Sequence, residues 1–442
     1  MPPRRSFATL PLLAALPLVA GQARGQDVQW GNSSGGSFHV GANWIGGVVP
    51  AAGDSVRFSR TRSPDQQLAY TVSFGSSPSN VQMSVGGDRV TLDLNGNVYF
   101  LTSQLDVMRI GTSTIAPSRL TLIDGTLATT TPDAGVRIGA AANATGVLTI
   151  STGAQCLGPF VVVGDVGPGT LLVQNGGDLV GGPMHVGYGA PGTATVSGVG
   201  SALVVELLNI GVSAPGTLNI NTGARVESTT GQIGQRSGVI GTVNVNGAGS
   251  RWTSSTDVYA GYTGPGVLNI SDGGRVQCTN AYVGVREGGL GSANVSGTGV
   301  LVAQGRCRVG YGGQGSLSVT SGGLVQCDSG EIGVVGPGTA TIDGAGSRWV
   351  SFSDLSIGAA DGTSVLALTG GGTAHCTSAS LGRFPGGTAT VNVSGTDSRW
   401  FVIQGISIGG VAETSQLGGV GALTIGPGGS VAANEIWPVD SR

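Results

Sequence analysis

The chain has 442 residues, 83 of them glycine, with only 10% charged residues and a formal charge of −3; its 21 basic residues are all arginine. The glycines lack the every-third-residue spacing of collagen, and 39% apolar content with so little charge excludes a disordered chain. The charge offers no electrostatic footprint for nucleic acid or an anionic membrane surface, so neither is expected as a partner.

Residues 1–25 read as an export signal. Arg4 and Arg5 precede an apolar run over 7–20 and then small residues, with cleavage expected after Ala23 or Gly25. The opening Arg-Arg-Ser-Phe at 4–7 leaves the Sec and twin-arginine routes both open. Loss of Arg4, Arg5 and Arg24 takes the formal charge from −3 to −6. The expected location is extracellular or on the cell surface, with the periplasm as a further compartment. No later stretch reaches the ~18 apolar residues of a membrane span. Residues 26–105 carry strand-like runs without a regular period and are expected to form a small β cap.

From about residue 106 to 435 an apolar-glycine signal recurs: Gly111, Gly139, Gly164, Gly187, Gly211, Gly234, Gly261, Gly284, Gly310, Gly333, Gly358, Gly382 and Gly409, spaced 23 to 28 residues apart. Each unit opens on a motif such as Gly-Thr-Leu-Asn-Ile at 216–220 or Gly-Val-Leu-Asn-Ile at 266–270. Apolar residues alternate with period two, as in Leu218 and Ile220 or Val243 and Val245, which reads as strands with one buried face. One unit of ~25 residues cannot bury its own apolar face, whereas stacked units share a continuous core. The fold class predicted is therefore all-β, a parallel β-helix (β-solenoid) of about 13 coils, ending in a short tail over 436–442.

The Gly-Thr-x-x-Val openings, the Gly-Ala-Gly-Ser-Arg-Trp segments at 247–252 and 344–349, and the closing Ile-Gly resemble the short repeats of autotransporter (type V secretion) passengers and of exported proteins bearing the PEP-CTERM sorting signal. The resemblance implies a β-helical extracellular domain and no particular chemistry.

Cys278, Cys327 and Cys376 recur at the double-coil period in a slot that sister coils fill with Gly158, Gly181 or Ser228; Cys156 occupies another slot, shared with Leu179, Val226 and Ala374. Buried free thiols are expected, with Cys307 outside the pattern and nearer the surface. Trp252, Trp349 and Trp400 occupy a slot that Leu203 and Val302 fill elsewhere, which points to apolar packing. His39, His185 and His375 share no unit position. The acids are dispersed, so no catalytic residue, metal or cofactor is expected.

The outward positions between paired apolar residues remain. One column reads Thr195, Asn219, Asn244, Asn269, Asn294, Thr341 and Asn392, and the next includes Asn221, Asn246 and Ser296. Two rows of short polar side chains either solvate a sheet face or bind a repetitive ligand such as a glycan. The sequence thus predicts an exported, non-catalytic structural or adhesive protein. It would contact a glycan or cell-surface component and self-associate, if at all, through the solenoid ends. The competing class is a β-helical polysaccharide lyase or hydrolase, whose mark would be acids clustered with arginine at one level of the helix.

Overall fold

A computed structural model describes residues 25–438 except 130, 132–134, 159, 361, 383–384 and 410–418. The expected export signal, up to residue 24, and the tail beyond 438 lie outside the described residues.

The chain winds into a parallel β-solenoid. One wall is a 16-stranded parallel sheet; a 26-stranded sheet supplies the other two walls. A single coil shows how. Strand Gly216–Asn221 lies in the first wall, then the chain turns at Thr222 and Gly223 (φ 52° and 83°) and runs through the nine-residue strand Arg225–Ile233. Gly234 (φ 71°) closes the coil; a Cβ there would sit 2.2 Å from the Pro265 carbonyl oxygen, so only glycine fits. The next coil starts at Gly241 in strict register, pairing Leu218 with Val243, Asn219 with Asn244 and Ile220 with Val245. Leu218, Ile220, Val226 and Ile233 all point inward and are fully buried. The period-two alternation and the closing Ile-Gly therefore mean what the sequence implied. The alternation lines a common dry interior, and the glycine turns the chain back to the first wall.

The stacking also runs through residues 27–105, where a cap was expected. Val28 pairs with Val56, Val56 with Met83 and Met83 with Met108, leading into Val136 of the repeat. The first coils close the end with rings instead of a strand. Trp30 meets Trp44 edge-on at 4.9 Å, Phe38 meets Trp44 at 5.0 Å, and Phe38 stacks on Phe74 at 4.9 Å. Their polar atoms are satisfied: Trp44 Nε1 donates to the Phe38 carbonyl at 2.7 Å. Beside this cluster, Asp88 is fully buried and accepts from the backbone N–H of Arg60 and of Thr61, from Thr61 Oγ1 and from Tyr70 Oη, at 2.6 to 3.1 Å. Fifteen strand steps of the first wall at ~4.8 Å make a stack roughly 72 Å long. At the far end the last strands, Val420–Ile425 and Ser430–Pro438, pair on one side, and Val420, Ile425, Ile436 and Trp437 are exposed.

The tryptophan and cysteine slots are inward columns of the second wall. Cys156, Leu179, Leu203, Val226, Trp252, Val276, Leu301, Val325, Trp349, Ala374 and Trp400 share one column. Leu301, not Val302, fills the slot in its coil; Val300, Leu301 and Val302 are all apolar, so alternation alone could not choose between them. Gly158, Gly181, Ser228 and the three periodic cysteines form the neighbouring column. Cys307 corrects the expectation of a surface position. It lies in the inward column of the third wall, between Ala281 and Gly330, and is fully buried.

All five cysteines are free and buried. Burial pushes the thiols of Cys156, Cys278 and Cys376 up to about 12. Cys307 donates its S–H to Cys327, which raises Cys307 and, against the effect of burial, lowers Cys327. A thiol reagent applied to the folded protein at neutral pH is therefore expected to modify none of the five, and all five after denaturation. Rapid titration of one or more thiols in the folded state would contradict this packing.

Candidate functional site

The predicted polar columns form on the first wall. Register places Thr195, Asn219, Asn244, Asn269, Asn294, Ser318 and Thr341 in one straight column, continued through Ala367 to Asn392. Asn221, Asn246 and Ser296 lie in the adjacent column with Ser197 and Ser271. All ten predicted positions thus share one face.

That face is internally bonded. Asn294 Nδ2 donates to Asn269 Oδ1, Asn269 to Asn244 and Asn244 to Asn219, each at 2.8 Å, and Asn219 Nδ2 lies 3.5 Å from Thr195 Oγ1. These side chains are half-buried. Such an amide ladder ties coil to coil as asparagine ladders do in cross-β stacks. It does not exhaust the amides. Each carries two N–H donors and two carbonyl lone pairs; the ladder uses one of each in Asn219, Asn244 and Asn269 and one donor in Asn294, leaving at least one donor and one acceptor per coil at strand spacing. In the second column Asn246 Nδ2 donates to Ser271 Oγ at 2.7 Å and to Asp272 Oδ2 at 3.0 Å.

The third wall carries a feature the sequence reading did not find. Tyr259 and Tyr282, in consecutive coils, stack at 5.1 Å with an 18° interplanar angle. Arg308, one coil further on, lies 5.7 Å from the Tyr282 ring and 4.9 Å from that of Tyr311, while Arg286 covers Tyr262 at 4.8 Å. Burial raises the phenol of Tyr259 above its ordinary value, and its hydrogen bond to Asp257 at 2.8 Å adds to the shift. The row leads into a groove of about 350 Å³ lined by Arg306, Arg308, Ser329, Glu331, Val334, Asp354 and Ser356. Burial alone would lower Arg308, but Glu331 more than offsets it through bonds at 2.7 and 3.3 Å and holds the guanidinium above its usual value. The sequence signal was available as Tyr259, Tyr282 and Arg308, each two residues before a closing glycine. It was hidden because sister coils hold unlike residues there: His185, Asn209, Gln232, Glu331 and Ser356.

The histidines stay apart. His185 lies 3.1 Å from Asn209 Nδ2, and His375 stacks on Phe401 at 4.6 Å. Burial lowers both imidazoles, helped at His375 by the nearby Arg348. Among the described residues no group of three or more His, Cys, Asp or Glu side chains is placed to hold a metal ion, and no helix is long and apolar enough to cross a membrane.

No protein-family model and no curated protein matches the chain. Among solved structures it is similar to the TibC-catalyzed hyper-glycosylated TibA55-350 fragment, with 14% identity over 92% of this chain and 98% of the other and a TM-score of 0.39.

Proposed function

We propose that the protein is an exported, non-catalytic structural or adhesive rod of the cell surface or extracellular space, and that its first wall contacts a repetitive glycan or surface component. The observation that supports this is the amide ladder from Asn294 to Asn219, which presents a free donor and a free acceptor at every coil along a straight line. A ligand with its own linear repeat can match such an array without a pocket, and the rigid stack beneath removes the ordering cost that a loop-built site would carry.

The test replaces Asn219, Asn244, Asn269 and Asn294 by Thr. Threonine already occupies this column at Thr195 and Thr341, so the stack is expected to fold. Binding to neutral polysaccharides, measured on a panel with the unaltered protein as reference, should fall at least about tenfold. Unchanged binding by the folded variant would eliminate this face, as would four Asn→Asp changes that leave binding intact. Cell fractionation with surface protease treatment tests the location.

A second reading has a specific observation in its favour. Arg306, Arg308, Glu331 and Asp354 line one groove, the clustering of acids with arginine that a polysaccharide lyase or hydrolase requires. The tyrosine row beside it would then hold the chain being cut. Release of reducing or unsaturated sugar that vanishes in Glu331→Gln or Asp354→Asn would establish this reading in place of the first.

A further inference from the structure

We propose that an arginine column on the second wall binds an acidic polysaccharide through its carboxylates. Arg225, Arg251 and Arg275 occupy one outward register position in three consecutive coils. Strands in such a stack lie ~4.8 Å apart, so three guanidinium stems leave the wall in a line at that interval. Like charges directly opposite on adjacent strands repel, and a fold does not gain from placing them there.

The acids do not resolve the repulsion. Arg225 pairs with Glu227 at 3.1 Å, but Arg251 and Arg275 are exposed and have no acidic partner among the described residues. Asp272, which accepts from Asn246 at 3.0 Å, forms no ion pair with either. Arg57, Arg137, Arg308 and Arg399 each meet a carboxylate, whereas Arg348, further along the same register position, is unpaired like Arg251 and Arg275. Nor does the column serve the core, because packing at this level falls to the buried neighbours Val226, Trp252 and Val276. Arg251 and Arg275 are thus two adjacent exposed cations without an ion pair, beside the paired Arg225, on a chain of net charge −3.

The chemistry selects the ligand. A guanidinium presents a planar fork that matches a carboxylate in two parallel hydrogen bonds. The outward positions beside Arg251 and Arg275 hold Thr253 and Gln277, hydroxyl and amide groups suited to sugar hydroxyls. Single-stranded nucleic acid would call for aromatic stacking platforms beside the cations, and this column has none at that level. A linear glycan of uronic acid units fits best.

This inference stands apart from the first-wall reading, since it concerns another wall, another ligand charge and other residues. The full-length protein is titrated with polygalacturonate, dextran and oligothymidylate. Polygalacturonate binding is expected, weakening as ionic strength rises. The exposed substitutions R251Q/R275Q should reduce it at least about tenfold and leave dextran binding as it was. R62Q/R119Q, removing equal charge elsewhere, should leave it unchanged. The proposal is overturned by absent polygalacturonate binding, by equal loss in the two double variants, or by tighter binding of oligothymidylate.

Discussion

Replacing Trp349 by Ala is expected to destabilise its part of the stack by about 3–5 kcal/mol. The indole is fully buried, Nε1 lies 3.3 Å from Cys327 Sγ, and its six-membered ring lies over Gly330 of the preceding coil, where an added Cβ would sit 2.9 Å from the ring. Trp252 repeats the arrangement with Ser228 Oγ at 3.0 Å and Gly231, whose Cβ would sit 2.2 Å away. A volume rule follows from the two inward columns. The second-wall residue of one coil is large where the third-wall residue of the coil before is small: Trp252 follows Gly231, Trp349 follows Gly330 and Trp400 follows Ala379, whereas Ala374 follows Leu355. Interiors close-packed in this way transmit any mismatch to the next coil.

The rule makes a sharper test than the single truncation. Gly231→Leu alone should clash with Trp252, and Trp252→Ala alone should leave a cavity. The double variant copies the Leu355 and Ala374 arrangement and should recover part of both losses, with a coupling of about 1–3 kcal/mol. Hydrogen exchange on strands Arg225–Ile233 and Arg251–Ser254 would measure it. Additive losses would contradict the packing described.

The second large effect is expected at Asp88. Asp88→Ala leaves the Arg60 and Thr61 amides, the Thr61 hydroxyl and the Tyr70 phenol without their acceptor, in a site with no exposure. Stranding several buried donors at once should cost about 3–5 kcal/mol. Each coil contacts only its neighbours, so the loss should be local. Protection should fall in strands Ala69–Ser73 and Arg89–Asp93, with little change around Trp349. Global unfolding in a single step, or no measurable loss, would contradict this.

The repeat was legible because its signals are geometric necessities. Leu218 and Ile220 must alternate to reach the interior, and Gly234 must be glycine to turn beneath Pro265. The first coils were harder to read as coils, because Ser59 follows Phe58 where a closing glycine would stand, so that Val85-Gly86, one coil before Gly111, has no matching signal in the coil before it. The polar columns could be read from alternation alone, but not that their amides bond to one another, since that depends on register. The tyrosine row and the arginine column were hidden for a related reason. Sequence comparison between coils follows the residues that stay alike, whereas these outward positions change from coil to coil. Arg251 stands in the sequence only as part of the Gly-Ala-Gly-Ser-Arg-Trp segment at 247–252, and Arg275 in no recurring motif.

The register itself is open to direct measurement. Nitroxide pairs at Thr195→Cys with Thr341→Cys, and at Thr195→Cys with Asn392→Cys, span six and eight coil steps of one column. Pulsed dipolar spectroscopy should give separations of roughly 29 and 38 Å, rising by ~4.8 Å per coil. The five native thiols, being buried, should stay unlabelled. Two narrow distributions in that ratio are the predicted result; broad distributions, or a second distance no longer than the first, would show that the coils do not stack in line.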